Sequence, residues 1–567
     1  MEGQEGGRSA EDRASDELLI QRLEEEKGPI RDWASLLEGM APIKGIYLST
    51  KDPVEPQHPL QLEVLPDAIR ACSTLETLRL SCGTQAGHLW VETEDDREYP
   101  TKHAILPVLD ALVETLQQGG GLREFEVNGK IYDPVVANAI GERLANVVKY
   151  GSKLEKFVFK PDFSAPPDSA AHICRAVEDS QSLRTLVLSE ITMEGTTNAL
   201  ECLEKSLKVN TTLTCLDLSQ SGGGIEGEGM QALFSILDTY TNLQELDLSL
   251  CLEDNINRNI NLIMAAGNNR GLRTLRLGAN PLFSNDLRAE HSWRHLLHNT
   301  TLTSLDLGGS QIGRAIGVRS LAQGLVETST LTDLRIGGVD LDLEGVEYLC
   351  CVALLNNTSL ATLNLYDNSI GTEGVEKMAM MLCQNSTLTD LHLPDINDES
   401  SLLLAKALAD SNSSLRRLTL SRGDPGPACA RAFADVLRRN KTLRDLQFDE
   451  CDTGKLGEDG LVAIAEAFRE RPEFLSRSIR LGGALAVPGV MQRLGIEQEK
   501  ISGLHHRSNR GDEAVLEALK DGWRENLVAF AMGAHSERLG AESPMRGKFD
   551  HIVAMIGRCY WGYPSWY

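Results

Sequence analysis

The chain has 567 residues, and its 82 acidic against 56 basic side chains give a formal net charge of −26. That balance disfavours a nucleic-acid or anionic-membrane surface and points to a basic protein partner, or simply to solubility. The opening stretch MEGQEGGRSAEDRASDELL is acidic and has no apolar run, so no secretory signal is expected, and no stretch approaches the ~18 apolar residues of a membrane span. The twelve cysteines show neither C-x-x-C nor metal-ligand spacing, which implies a reduced, cytoplasmic chain with no metal site.

Residues 1–30 hold nine acids and four bases and read as a disordered lead into a short helix near Leu18 to Glu26. Trp33, Leu36, Leu37 and Met40 follow at near-helical spacing and suit an N-terminal cap. From there one phrase recurs. At 360–371 it reads LATLNLYDNSIG, with Leu360, Leu363 and Leu365 facing inward and Asn368 and Ile370 behind them. Copies begin at Leu75, Leu122, Leu154, Leu183, Leu213, Leu243, Leu272, Leu302, Leu331, Leu360, Leu388, Leu415 and Leu443, with a degenerate one at Ile43. Nine steps span 443 − 183 = 260 positions, a period near 29. A fixed period of this size means stacked units that bury a core only against their neighbours.

The first half of each unit alternates as a short strand does. The second half has helical spacing: Val318, Leu321, Ala322, Leu325; Val346, Leu349, Cys350, Ala353; Val375, Met378, Ala379, Leu382; Leu461, Ile464, Ala465, Phe468. Turns such as GGSQIG and YDNSIGTEG join them, with Gly supplying unusual backbone angles. The step from Leu75 to Leu122 carries a surplus at 83–103 ahead of a helical run from Ile105 to Leu116, and 161–172 reads as a smaller Pro-rich bulge. Triplets of N-x-S/T type at Asn210, Asn299, Asn356, Asn357, Asn385, Asn412 and Asn440 mostly precede strands. They read as turn chemistry without glycan.

After Pro472 the phrase decays, LSRSIRLGG being a terminal strand. In the rest, Leu516, Leu519, Trp523, Leu527 and Ala531 share a helical stripe, and the chain ends in an aromatic tail with Trp561, Tyr563, Trp566 and Tyr567. Residues 475–567 therefore read as a helical cap, or as a docking region for a second partner. Strand, turn, full helix and return at this period resemble the ribonuclease-inhibitor-like class of leucine-rich repeat proteins, from about Ile43 to Phe474. The resemblance implies an α/β solenoid of horseshoe curvature over 31–474, with a parallel sheet on the concave side and helices on the convex side. The class includes ribonuclease inhibitor, the sensor ends of NLR immune receptors, Ran GTPase-activating protein and axonemal components, so fold alone does not select a function.

The outward strand positions supply the candidate site: Asp217, Glu245, Asp247, Arg276, Asp306, Asp333, Arg335, Asn364 and His392. With neighbouring strands roughly 4.8 Å apart, Asp217, Glu245 and Asp247 should form a close acidic group suited to a Lys/Arg-bearing partner. No G-x-x-x-x-G-K-[ST], G-x-S-x-G or H-E-x-x-H occurs, so a non-catalytic scaffold or receptor without cofactor is expected. The alternatives are a GTPase activator of the Ran type, though the acidic C-terminal segment of that family is missing, and a ubiquitin-ligase substrate receptor.

Overall fold

The computed structural model describes residues 45–49 and, with breaks, 65–494; the longest break is 82–104, and shorter ones include 162–166, 192–196, 222–224, 283–286 and 471–477. The acidic lead, the cap around Trp33, the surplus at 83–103, the stripe from Leu516 and the aromatic tail lie outside the described residues. The chain divides into two compact units: one runs to Gly313 and includes Glu327–Leu331, the other comprises Arg314–Val326 and the chain from Thr332.

The first unit carries nine strands: β1 (Gly45–Ser49), β2 (Thr77–Ser81), β3 (Glu124–Asn128), β4 (Lys156–Lys160), β5 (Thr185–Leu188), β6 (Cys215–Asp217), β7 (Glu245–Asp247), β8 (Thr274–Arg276) and β9 (Ser304–Asp306). Each pairs in parallel with the next in chain order. The second carries β10 (Asp333–Arg335), β11 (Thr362–Asn364), β12 (Asp390–Pro394), β13 (Arg417–Ser421), β14 (Asp445–Asp449) and β15 (Ser478–Arg480), again parallel in chain order. The leucine between the two outward columns meets its counterpart each time, as Leu216 meets Leu246 and Leu363 meets Leu391. A helix follows most strands and returns the chain to the next one. Helices pack about 8–10 Å apart and strands about 4.8 Å apart, so within each unit the stack bends with its sheet inside.

The helical stripes read from the sequence are the buried ones. Val318, Leu321, Ala322 and Leu325 are buried, as are Val375, Met378, Ala379 and Leu382, and Leu461, Ile464, Ala465 and Phe468. The run from Ile105 is the helix Ile105–Gln117. The proline-rich stretch at 161–172 is partly helix: Pro167 opens Pro167–Ala176, in the first turn, where its missing N–H has no partner to lose. LSRSIRLGG contains β15, and a further short helix, Pro488–Leu494, follows it.

Two further devices close many of the repeats. The first is a buried asparagine between helix and strand. The Asn299 amide donates to the carbonyls of Gly267 at 3.1 Å and Asn269 at 2.6 Å in the preceding repeat, while its oxygen accepts from the backbone N–H of Thr301 at 2.7 Å and Leu302 at 2.8 Å. Asn210, Asn357, Asn385, Asn412 and Asn440 do the same. Their amide nitrogens are committed to the main chain, which leaves none for a glycan in the folded state. Asn356 differs: it is exposed and bonds only within its own turn, to the Val352 carbonyl at 2.7 Å.

The second device is a left-handed residue at the strand exit, seven positions after the opening leucine (309 − 302 = 7, 367 − 360 = 7). Gly309 and Gly338 hold it in two repeats, with φ of 71 and 63°. Elsewhere the position is held by Glu190, Gln220, Leu250, Ala279, Asp367, Arg422 and Glu450, all with φ between 48 and 60°. Hydrogen bonds between repeats over-determine the angle: the N–H groups of Gln220, Leu250 and Ala279 donate to Ser249, Gly278 and Gly308.

Removing the buried amide of Asn299 orphans two N–H groups, so Asn299→Ala should cost about 2–4 kcal/mol, against less than about 1 kcal/mol for exposed Asn356→Ala. Similar losses in urea melts would show that the amides are incidental. Leu250 is 55% exposed at φ 55°. Relief of left-handed strain exceeds the entropy cost of glycine, so Leu250→Gly should be neutral or stabilising by up to about 1 kcal/mol. A clear loss would mean that the Leu250 side chain holds the turn.

Candidate functional site

In the first unit, parallel register sets Asp217 beside Asp247, Asp247 beside Arg276, and Arg276 beside Asp306; Glu245 lies beside Cys215 and Thr274. Alternation turns these side chains off the leucine core, onto the open sheet face. Arg276 Nη1 reaches Glu245 Oε2 at 3.7 Å. One guanidinium thus stands among four carboxylates from three strands. Each aspartate also has local work, closing its strand exit by accepting a backbone N–H two residues on. Asp217 takes Ser219 at 2.8 Å, Asp247 takes Ser249 at 3.0 Å, and Asp306 takes Gly308 at 2.9 Å. Aspartate therefore recurs here for a structural reason.

The electrostatics record this crowding. Burial raises the Asp247 carboxyl above the usual carboxylate range, with Asp217 adding to the effect, while the Ser249 hydrogen bonds and Arg276 oppose it. Cys215 on the same face is pushed up to about 11, mainly by burial and then by Glu245 and Asp217, so it remains a thiol.

The second unit treats its charges differently. Arg335 pairs with Asp333 at 3.3 Å, and Arg417 lies between Asp390 at 2.5 Å and Asp445 at 3.3 Å. Asn364 closes its turn on the Tyr366 N–H at 2.8 Å. The His392 ring sits 5.2 Å from that of Tyr366, its Nε2 buried with no hydrogen-bond partner, and burial lowers its pKa against the pull of Asp449 and Glu450. So of the expected site residues, Asp217, Glu245, Asp247, Arg276 and Asp306 come together in the first unit. Asp333, Arg335, Asn364 and His392 lie on the sheet face of the second.

One cluster was not anticipated. At the strand exits of the second unit, Tyr366 Oη donates to Glu450 at 2.6 Å, and Arg422 donates to Glu450 at 2.9 Å and pairs with Asp367. The Arg422 guanidinium lies 4.8 Å from the Tyr366 ring centre. The hydrogen bond from Tyr366, then that from Arg422, holds Glu450 below its usual range. Asp367, Arg422 and Glu450 all occupy the left-handed position, so reading that column would have found them.

Among the described residues no three His, Cys, Asp or Glu side chains converge as a metal site, and no helix is long and apolar enough to cross a membrane. The recurrent unit matches a known pattern: residues 209–234, 298–318 and 356–379 each fit the model of the leucine-rich repeat. These are leucine-rich repeats. Among solved structures the chain is similar to leiomodin-1 actin-binding site 2, at 17% identity and a TM-score of 0.21, over 29% of this chain and 80% of that one. A likeness at that score carries no argument about function.

The folded value for Asp247 lies above the unfolded value near 3.9, so the folded state holds this proton more readily. Its charged form opposes folding at neutral pH, and that opposition fades as pH falls through the folded value. Asparagine keeps the acceptor for Ser249. Asp247→Asn should therefore melt higher than wild type at pH 7, with the gap closing towards pH ~4. A variant melting lower at pH 7 would show that the charge is compensated.

Proposed function

We propose that this leucine-rich repeat chain is a non-catalytic protein-binding scaffold whose first unit receives a Lys/Arg-bearing segment on its sheet face. One observation carries the reading: Asp217, Glu245, Asp247 and Asp306 lie on one sheet face with a single guanidinium, Arg276, which is ion-paired to Glu245. A guanidinium or ammonium group from a partner would meet a carboxylate at each of these positions on the same face. The face is open and rigid, since each side chain stands on a strand fixed by buried leucines on both sides. Exposed charges of this kind contribute mainly to the association rate and to specificity. The net charge of −26 favours the same sign of partner at longer range.

The test uses the full chain and a labelled peptide alternating lysine, arginine and serine, in titrations at low and moderate salt. Neutralising the face as Asp217→Asn, Glu245→Gln and Asp247→Asn keeps the turn acceptors, and should weaken binding about tenfold. Neutralising Glu376 and Lys377, on the helix Gly371–Leu382, should leave binding within about twofold. Equal affinity of wild type and the face variant would remove this reading.

A further inference from the structure

A second surface of the first unit has the opposite character. Where the chain enters strands β5 to β9, a shallow groove of about 440 Å³ is lined by Gln181, Ser182 and Arg184, by Thr211, Thr212 and Thr214, by Thr241, Asn242 and Gln244, by Arg270, Gly271 and Arg273, and by Thr301. In a chain with 82 acids among 567 residues, this lining holds three arginines and no carboxylate. Upstream, Arg123 stands in the same relation to Leu122 as Arg184 to Leu183, and it is paired with Glu155 at 3.2 Å. Arg184 and Arg273 have no such partner among the described residues, and both are exposed; Arg270 reaches only the Thr300 hydroxyl, at 3.3 Å. Glu155, beside Arg184 in the register, is held by Arg123, and Glu245, beside Gln244, turns to Arg276.

We infer that this groove binds an extended acidic peptide segment, at a site separate from the acidic sheet face. The spacing fits that ligand. Five repeats at roughly 4.8 Å span ~19 Å, the length of about six residues of extended chain. Arg184 and Arg273 stand three strands apart, ~14 Å, so they meet carboxylates about four residues apart on one extended chain. A free phosphate fits less well, because the guanidinium groups are spread along the groove and do not converge. A nucleic acid fits less well too, because the lining has no aromatic side chain for bases to stack on. The exposed Gln181 and Gln244 carboxamides can donate to and accept from a peptide backbone. The guanidinium forks present paired donors to carboxylates.

The full chain is titrated into a fluorescein-labelled peptide of sequence Gly-Glu-Asp-Ser-Thr-Glu-Asp-Gly, followed by fluorescence anisotropy. Saturable binding is expected, weakening as salt is raised from ~50 to ~300 mM. Arg184→Gln with Arg273→Gln should reduce affinity about three- to tenfold, and Arg270→Gln should reduce it further. The substituted side chains are exposed, so the melting midpoint reports intact folding. The same variants should bind the basic peptide of the preceding test as wild type does, which separates the two readings. Absence of saturable binding, or equal binding by wild type and the double variant, overturns the inference. So does displacement of the labelled peptide by an oligothymidylate at a lower concentration than by unlabelled peptide.

Discussion

One hydrogen-bonding arrangement underlies the rest of this structure: the buried carboxamide that joins helix end to strand in most repeats from Leu213 to Leu443. A helix end leaves carbonyls without partners, and the first residues of a strand leave N–H groups. A single asparagine satisfies both, donating backwards and accepting forwards, as Asn299 and Asn357 do. The same chemistry recurs on the other side of the strand. The Asn280 oxygen takes the N–H groups of Cys251 and Leu252, and the Asn368 oxygen takes those of Val339 and Leu341. Neutral amides suit this work, because a buried carboxylate would add a desolvation cost without a second donor set.

That internal rigidity frees the outward strand positions for other uses. They bear little of the packing, so their charges vary from strand to strand while the leucines stay in register. In the first unit the acids gather near Arg276, and burial together with Asp217 raises the proton affinity of Asp247. In the second, Arg417 pairs with both Asp390 and Asp445 in the preceding outward column, the one that holds Glu245 in the first unit. The contrast is one of partnering rather than of how many charges are present.

The strand exits show how repeat proteins tolerate local strain. A left-handed backbone on leucine, arginine or glutamate costs roughly 1–2 kcal/mol in isolation. It persists because N–H groups at that turn are tied to carbonyls of the next repeat, as in Leu250 to Gly278. Holding the side chains at this angle also aims them along one edge. Asp367, Arg422 and Glu450 therefore meet across separate repeats and enclose the Tyr366 hydroxyl and ring.

Leucine spacing alone determined the strand cores, the buried helix stripes and the parallel order, because a core position must satisfy the same period in every copy. Asparagine before the strand was legible as turn chemistry for the same reason. The acidic group at Asp217, Glu245 and Asp247 was legible once strand spacing was known. What the sequence could not settle was which charges are spent at home. Asp390, Arg417 and Asp445 stand in one column, as Asp247, Arg276 and Asp306 do, yet only the first set closes on its arginine from both sides. Side-chain reach and burial decide that, and both depend on neighbours some 27 to 30 residues away (417 − 390 = 27, 306 − 276 = 30). The groove at the strand entrances was hidden for a related reason. Its arginines are ordinary in the sequence, and only packing the repeats side by side shows that no acid among the described residues reaches Arg184 or Arg273.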